Sequence, residues 1–305
     1  MLQNKNIVIT GGLGFLGFSL VEKFYSDNNI MIIDNLSSNV HKINEINDYK
    51  SINLLELDII DKKIPHIIEN FKPDLVIHTA AQTSVLDSIK NPKNNNLINI
   101  DGTENIIKSI QNLRDCFFLL ISSGGAVYGT PNYLPVDENH LLNPISPYGI
   151  SKMEAEKLTI KYLKNKENKF CIIRPSNIYG PNQKNLNVIP KYINLMKRNE
   201  DISIYGNGSS TRDYIYINDI IKIIYEICSR KYEGIYNISS NLETKIIDIF
   251  MKLKEILEYK KNPKYVSNVK GEINNIYLDN SKIKNLIPNL KFTNIDEGLR
   301  KTINS

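Results

Sequence analysis

Tryptophan is absent from this 305-residue chain, and cysteine and histidine are scarce, at three and four residues. The cysteines Cys116, Cys171 and Cys228 form no CxxC, and the first and second lie in apolar, strand-like runs. They read as buried free thiols rather than a disulfide framework. His41, His66, His78 and His140 show no metal-ligand spacing. No run approaches the ~18 apolar residues of a membrane helix. Met1 leads into a strand without the apolar h-region of a signal peptide, so the expected location is the cytoplasm. An excess of one charge is also missing: 38 basic residues face 33 acidic ones, and the basic ones are dispersed. That argues against a nucleic-acid surface and leaves room for mild attraction to a phosphorylated small substrate. What is abundant is apolar sequence, 41%. This suits one large α/β domain, or a core domain with a smaller lobe.

Short apolar runs alternate with amphipathic stretches over the first two-thirds. Strands are expected over Asn6–Thr10, Ile30–Asp34, Ile52–Leu57, Asp74–His78, Phe117–Ser122 and Phe170–Arg174, with helices such as Phe15–Asp27 and Thr103–Asn112 between them. This alternation predicts an α/β fold, a Rossmann-type doubly wound parallel sheet that binds ligands along its strand C-termini. After Arg174 the pattern breaks at Pro175, Gly180, Pro181 and Pro190 and at the turn cluster Tyr205–Ser210. Short strands over Tyr214–Ile217 and Ile235–Ile238 follow, then an amphipathic helix over 244–259 with Thr244 as N-cap. The expected division is a dinucleotide-binding domain over 1–174, rejoined by 212–238. Residues 175–211 and 239–305 then make a smaller C-terminal substrate-binding lobe that closes over its ligand.

Three motifs carry chemistry. Gly11, Gly14 and Gly17 follow the first strand and open a helix, the arrangement that brings backbone amides to a pyrophosphate. Asp34 ends the second strand, where a carboxylate accepts from adenosine ribose hydroxyls and repels a 2′-phosphate, favouring NAD over NADP. Tyr148-Gly-Ile-Ser-Lys152 puts a phenol and an ammonium on one helix face, so the charge can lower the phenol's pKa and hold a ribose. Pro147 marks that helix start. Small residues in His78-Thr-Ala-Ala81 let a cofactor lie against the sheet edge, with His78 itself read as packed and hydrogen-bonded. Ser122-Ser123 ends the fifth strand, where a hydroxyl can bond the substrate oxygen that Tyr148 deprotonates. Arg212 offers a planar fork for a diphosphate, and Asn177 a phosphate donor.

Together these residues resemble the extended short-chain dehydrogenase/reductase family, and within it the NAD-dependent nucleotide-sugar epimerases. The likeness also takes in Asp34-Asn-Leu-Ser-Ser38, Asn99 with Gly102-Thr103, Val127-Tyr-Gly129, Arg174–Pro181, Tyr205–Asp213, and Gly271-Glu272 followed by Leu278–Lys282. The resemblance implies NAD held by the amides of Phe15 and Leu16, with Asp34, Asn35 and Ser38 near the ribose and Asp58 and Ile59 at the adenine. Ala80, Ala81, Asn99 and Ser122 would line it, and Lys152 would hold the nicotinamide ribose. It implies a substrate held by Ser84, Asn177, Asn187, Val188, Tyr205, Arg212 and Glu272. It also implies a homodimer packed through helices near 95–112 and 148–165.

The chain departs from the family at two points. The family's catalytic hydroxyl position is Gly124 here, so the role passes to Ser123. An arginine of the C-terminal signature is Val269, with Lys270 beside it. The implied reaction is C4 epimerisation of a UDP-hexose or UDP-N-acetylhexosamine through a 4-keto sugar, Tyr148 being the base. A 4,6-dehydratase would carry Asp-Glu after the catalytic hydroxyl, where this chain has Gly124-Gly125; a 4-ketoreductase would favour NADPH, which Asp34 disfavours. An inactive nucleotide-sugar-binding protein is a further alternative. Ile276, near the position that sets sugar size in the family, is intermediate in bulk, so the sugar stays open.

Overall fold

Continuous apolar runs become inner strands, since a strand covered on both faces has no polar side to show. The computed structural model describes residues 2–37, 51–164, 166–184, 187–267 and 273–304. Its central sheet contains β1 (Asn6–Thr10), β2 (Asn29–Asp34), β3 (Ile52–Glu56), β4 (Leu75–His78), β5 (Phe117–Ile121), β6 (Phe170–Pro175) and β7 (Gly234–Ile238), in the order β7-β6-β5-β4-β1-β2-β3. Strand β5, Phe-Phe-Leu-Leu-Ile, is buried throughout, whereas the edge strand β3 alternates between partly buried and exposed positions. β1 pairs in parallel with both β2 and β4, Thr10 lying opposite Ile33 on one side and His78 on the other. The strand order therefore reverses between β1 and β4, the place where such sheets bind ligands.

The main helices are α1 (Phe15–Phe24), α2 (Thr103–Ile110) and α3 (Pro147–Leu163). On one sheet face Val8, Ile33, Val76, Phe118, Leu120 and Ile172 meet Ile106, Ile107 and Ile110 of α2 and Ala155 and Leu163 of α3. Each fully buried isoleucine contributes about 2 kcal/mol of apolar transfer. α3 starts where it does because Ser146 caps it, its hydroxyl accepting the Gly149 N–H at 3.1 Å, and Pro147 needs no N–H partner at the first helical position. Ahead of α2, residues Leu97–Gly102 wind as a π-helix, a local widening often found at functional sites.

The chain divides into two compact units: Met1–Val127, Ser146–Arg174 and Ile221–Tyr236 make the first; Tyr128–Ile145, Pro175–Ile220 and Asn237–Ser305 the second. The sequence reading instead kept 128–145 with the first domain and began the return at 212. Residues 128–145 join the second unit through hydrogen bonds: the Tyr128 hydroxyl donates to Asn237 at 2.7 Å, and the Val136 N–H donates to the Tyr277 carbonyl at 3.0 Å. Within that unit, Asn177–Tyr179 pairs in parallel with Tyr214–Tyr216, and Ser203–Tyr205 with Lys264–Val266.

The expected N-cap at Thr244 is corrected. Thr244 and Lys245 pair antiparallel with Arg212 and Thr211, and the helix runs Ile246–Ile256. Its first amides go to a turn instead of a capping side chain, Ile246 N–H to the Ser210 carbonyl at 3.0 Å and Ile247 N–H to that of Gly208 at 3.1 Å. Among the described residues no helix is long and apolar enough to cross a membrane, and no group of His, Cys, Asp or Glu could hold a metal. All three cysteines are free and buried, and burial pushes the Cys116 thiol up to about 12.

Candidate active site

The C-terminal ends of β1, β2, β4 and β5 set out the site. After β1 the chain turns at Gly11, whose φ of 65° favours glycine. A Cβ there would stand 2.8 Å from the backbone of Ala80, and one on Gly17 would stand 2.1 Å from the Gly11 carbonyl oxygen. The glycines let α1 start directly against the turn. Gly14 caps α1 without a side-chain hydrogen bond, so the first amides, Phe15 and Leu16 among them, stay available to an anion. Asp34, buried at the end of β2, is oriented by the Leu13 N–H at 2.9 Å and the Leu36 N–H at 2.8 Å. Its neighbour Asn35 donates to Asp58 at 2.7 Å, and Ile59 is buried against Gly102. This uncapped helix end, its cradle and the acid at the next strand fit a dinucleotide.

At the end of β4, His78 is buried between two hydroxyls, Nδ1 being 2.7 Å from Thr10 Oγ1 and Nε2 2.9 Å from Thr103 Oγ1. Burial, with the Lys152 charge nearby, pushes it down to about 3. It is a neutral packing residue, as its strand position suggested. Asn99, on the π-helical turn, donates to the Gln82 carbonyl at 3.0 Å and to Ser151 Oγ at 3.0 Å, and it accepts the Gln82 N–H at 2.8 Å. Its amide therefore shapes the 80–84 loop. Ser84 caps the next helix, accepting the Asp87 N–H at 3.1 Å.

The Tyr148–Lys152 pair lies on α3. Tyr148 sits in its first turn, and its backbone N–H is taken by Ser88 Oγ at 3.1 Å. Its phenol is buried, and Ser123, which immediately follows Ser122 beyond β5, is the side chain that acts on it. Lys152 lies one turn along the same helix and is buried too. Burial holds the phenol above its ordinary range, Ser123 opposing it, and burial pushes Lys152 down to about 8, with Glu156 opposing. The expected lowering of the phenol by the ammonium is not among the influences on Tyr148; its low-dielectric surroundings dominate.

Ser122 points elsewhere, donating to Glu156 at 2.5 Å. Ser88 and Glu156 were missed by sequence reading. Glu156 had a signal, since it continues the four-residue spacing of Tyr148 and Lys152; Ser88 had none, because its partner is distant in sequence.

In the second unit, Arg212 donates to the carbonyls of Thr211 at 2.8 Å and Asn274 at 3.1 Å. Beside it Asp213 is buried, accepting the Ser240 N–H at 3.0 Å, the Ser240 hydroxyl at 2.8 Å and the Asn241 N–H at 3.2 Å. Asn177 pairs with Tyr214; Asn187 and Val188 begin the helix ending at Lys197; Tyr205 is half exposed at the end of its strand. Ser38 and Glu272, with Val269, Lys270 and Gly271, lie outside the described residues.

A doubly wound sheet with a glycine turn, an acid after β2 and a Tyr–Lys pair on one helix defines a dinucleotide-dependent enzyme of the short-chain dehydrogenase/reductase type. The chain belongs to the NAD dependent epimerase/dehydratase family, whose model matches residues 7–239. It is 36% identical over 306 residues to a putative UDP-glucose 4-epimerase of Methanocaldococcus jannaschii, covering 98% of this chain and 97% of that one. A UDP-glucose 4-epimerase of Thermotoga maritima, solved with UDP-glucose, superposes with a TM-score of 0.90 at 31% identity, covering 98% of this chain and 97% of that one. A UDP-N-acetylglucosamine 4-epimerase of Methanobrevibacter ruminantium, solved with UDP-N-acetylmuramic acid, has a TM-score of 0.91 at 29% identity, covering 99% and 98%. The protein is thus an enzyme of the NAD dependent epimerase/dehydratase family.

Proposed function

We propose that this protein interconverts the C4 epimers of a nucleotide-diphosphate sugar, a UDP-hexose or UDP-N-acetylhexosamine. The observation that carries the reading is the buried Tyr148 phenol in the first turn of α3, with Lys152 buried one helical turn away and Ser123 acting on the phenol. Tyr148 takes the proton from the sugar 4-hydroxyl, and Ser123 holds the oxygen that changes charge. NAD, when bound, would supply hydride acceptance and return at C4. Lys152 holds the nicotinamide ribose; Asp34 holds the adenosine ribose. The same phenol returns the proton after the 4-keto sugar has turned. Asn177, Asn187, Val188, Tyr205, Arg212 and Glu272 grip the nucleotide diphosphate, supplying binding energy that a turning sugar cannot. The enzyme works in the cytoplasm as a homodimer.

Ser123 supports the reading despite Gly124, because it acts on the Tyr148 phenol in the direction a base requires. The glycines that follow offer no carboxylic acid for dehydration. Proton NMR of the purified protein with UDP-glucose, UDP-galactose and their N-acetyl forms tests the proposal. Interconversion of a C4 pair without added cofactor is the expected result. A 6-deoxy-4-keto product would instead identify a dehydratase, and turnover of a 4-keto sugar only with net NADPH consumption a ketoreductase.

A further inference from the structure

The Glu156 carboxylate is buried, 2% exposed, and Arg174 reaches it from β6 at 4% exposure. Arg174 Nε lies 3.0 Å from Oε1, and Nη2 lies 2.6 Å from Oε2. Ser122 donates to Oε1 from beyond β5. A buried ion pair is weak evidence for stability, since desolvating two charges offsets most of their attraction. Its position is more informative. Tyr148, Lys152 and Glu156 follow one another at four-residue intervals along one face of α3. Two consecutive residues after β5 address the two ends of that face: Ser122 donates to Glu156, and Ser123 is the side chain that lowers the Tyr148 phenol against its burial. Lys152 lies between them.

We propose that Glu156 is a positioning residue for the proton-transfer group: clamped by Arg174 and Ser122, it fixes the end of β5 against α3 so that Ser123 reaches Tyr148, and it holds the proton on Lys152. The proposal rests on the epimerase reading only for the identity of the reaction. The titratable groups acting on Lys152 are Glu156 on its own helix and His78 at the end of β4. Glu156 is thus the anion that opposes the burial of Lys152. Arg174 and Ser122 keep that anion in place and aligned, so that it does not swing away from the ammonium.

The test uses Glu156→Gln, which removes the charge and keeps the shape, and Ser122→Ala, which removes one hydroxyl and leaves the ion pair. Lysine Cε NMR of the full-length protein, with the Lys152 signal assigned by Lys152→Met, follows that proton directly and needs no turnover. In Glu156→Gln the Lys152 titration moves below its wild-type position near 8, because the opposing charge is gone. In Ser122→Ala the fold is kept and kcat drops roughly 10-fold, a part of the roughly 10²- to 10⁴-fold that a positioned proton-transfer group is worth. The rising limb of its kcat/KM profile moves to higher pH, as the loosened Ser123 bond no longer lowers the phenol. KM holds. An unchanged Lys152 titration in Glu156→Gln, or an unmoved pH profile in Ser122→Ala with only a lower Tm, would overturn the proposal in favour of a purely structural pair. Should Glu156→Gln fail to fold, Ser122→Ala decides alone. If no nucleotide sugar reacts with the wild type, the epimerase reading fails, while the Lys152 titration in Glu156→Gln still decides whether Glu156 holds that proton.

Discussion

Gly17 faces the Gly11 carbonyl so closely that a Cβ on Gly17 would stand 2.1 Å from its oxygen. The obstacle is backbone and cannot rotate away. Gly17→Ala must push α1 off the turn after β1 and displace the amides of Phe15 and Leu16. The expected outcome is protein that purifies without cofactor and melts lower, read from the nucleotide released on denaturation and from thermal unfolding with and without added NAD.

Tyr148→Phe removes the phenol while leaving its ring and its backbone N–H bond to Ser88 in place. Turnover falls by at least about 10²-fold, the usual worth of a positioned acid–base group. Substrate affinity, measured by calorimetry, stays within a few-fold. Unchanged turnover in this variant would sink every version of the mechanism that uses Tyr148.

Ser123 lowers the Tyr148 pKa against the opposing effect of burial. Ser123→Ala removes that help, so the phenol loses its proton at higher pH than in the wild type. Because the base must be deprotonated to act, the rising limb of kcat/KM shifts to higher pH. Ser123→Thr restores the hydroxyl and returns the limb toward its wild-type position. A pH–rate profile of the three proteins checks both directions.

His78 is held at about 3 in the fold against an ordinary value of 6.5. Its folded pKa is depressed, so above pH 6.5 both states are neutral and folding carries no penalty from this group. Below that the unfolded chain takes up a proton that the folded one refuses, and stability drains away as pH falls toward 3. Urea unfolding at pH 7 and pH 5 should show the midpoint falling, and NMR of the ring nitrogens should find His78 still neutral at pH 5.

Much of this protein was legible before folding. The inner strands announce themselves as apolar runs, and β1 coincides with the expected Asn6–Thr10. The glycine turn, Asp34 and the Tyr148–Lys152 spacing are local features whose meaning depends on neighbours a few residues away. Local chemistry fails where a partner is remote. Thr244 looks like a helix cap, but Arg212 claims its backbone as a strand partner. Ser123 could take the role vacated by Gly124 only if the end of β5 reached α3, and no spacing along the chain reports that approach. Ser88 under Tyr148, the hydroxyls of Thr10 and Thr103 around His78, and the Arg174–Glu156 pair all join residues from different elements. The sequence by itself determined the inner strands, the glycine turn and the Tyr148–Lys152 spacing, because periodicity and short-range spacing encode them. Tertiary structure alone decided which way Ser122 turns, how deeply Tyr148 and Lys152 are buried and that Arg174 meets Glu156, because those depend on packing between strands and helices far apart in the chain.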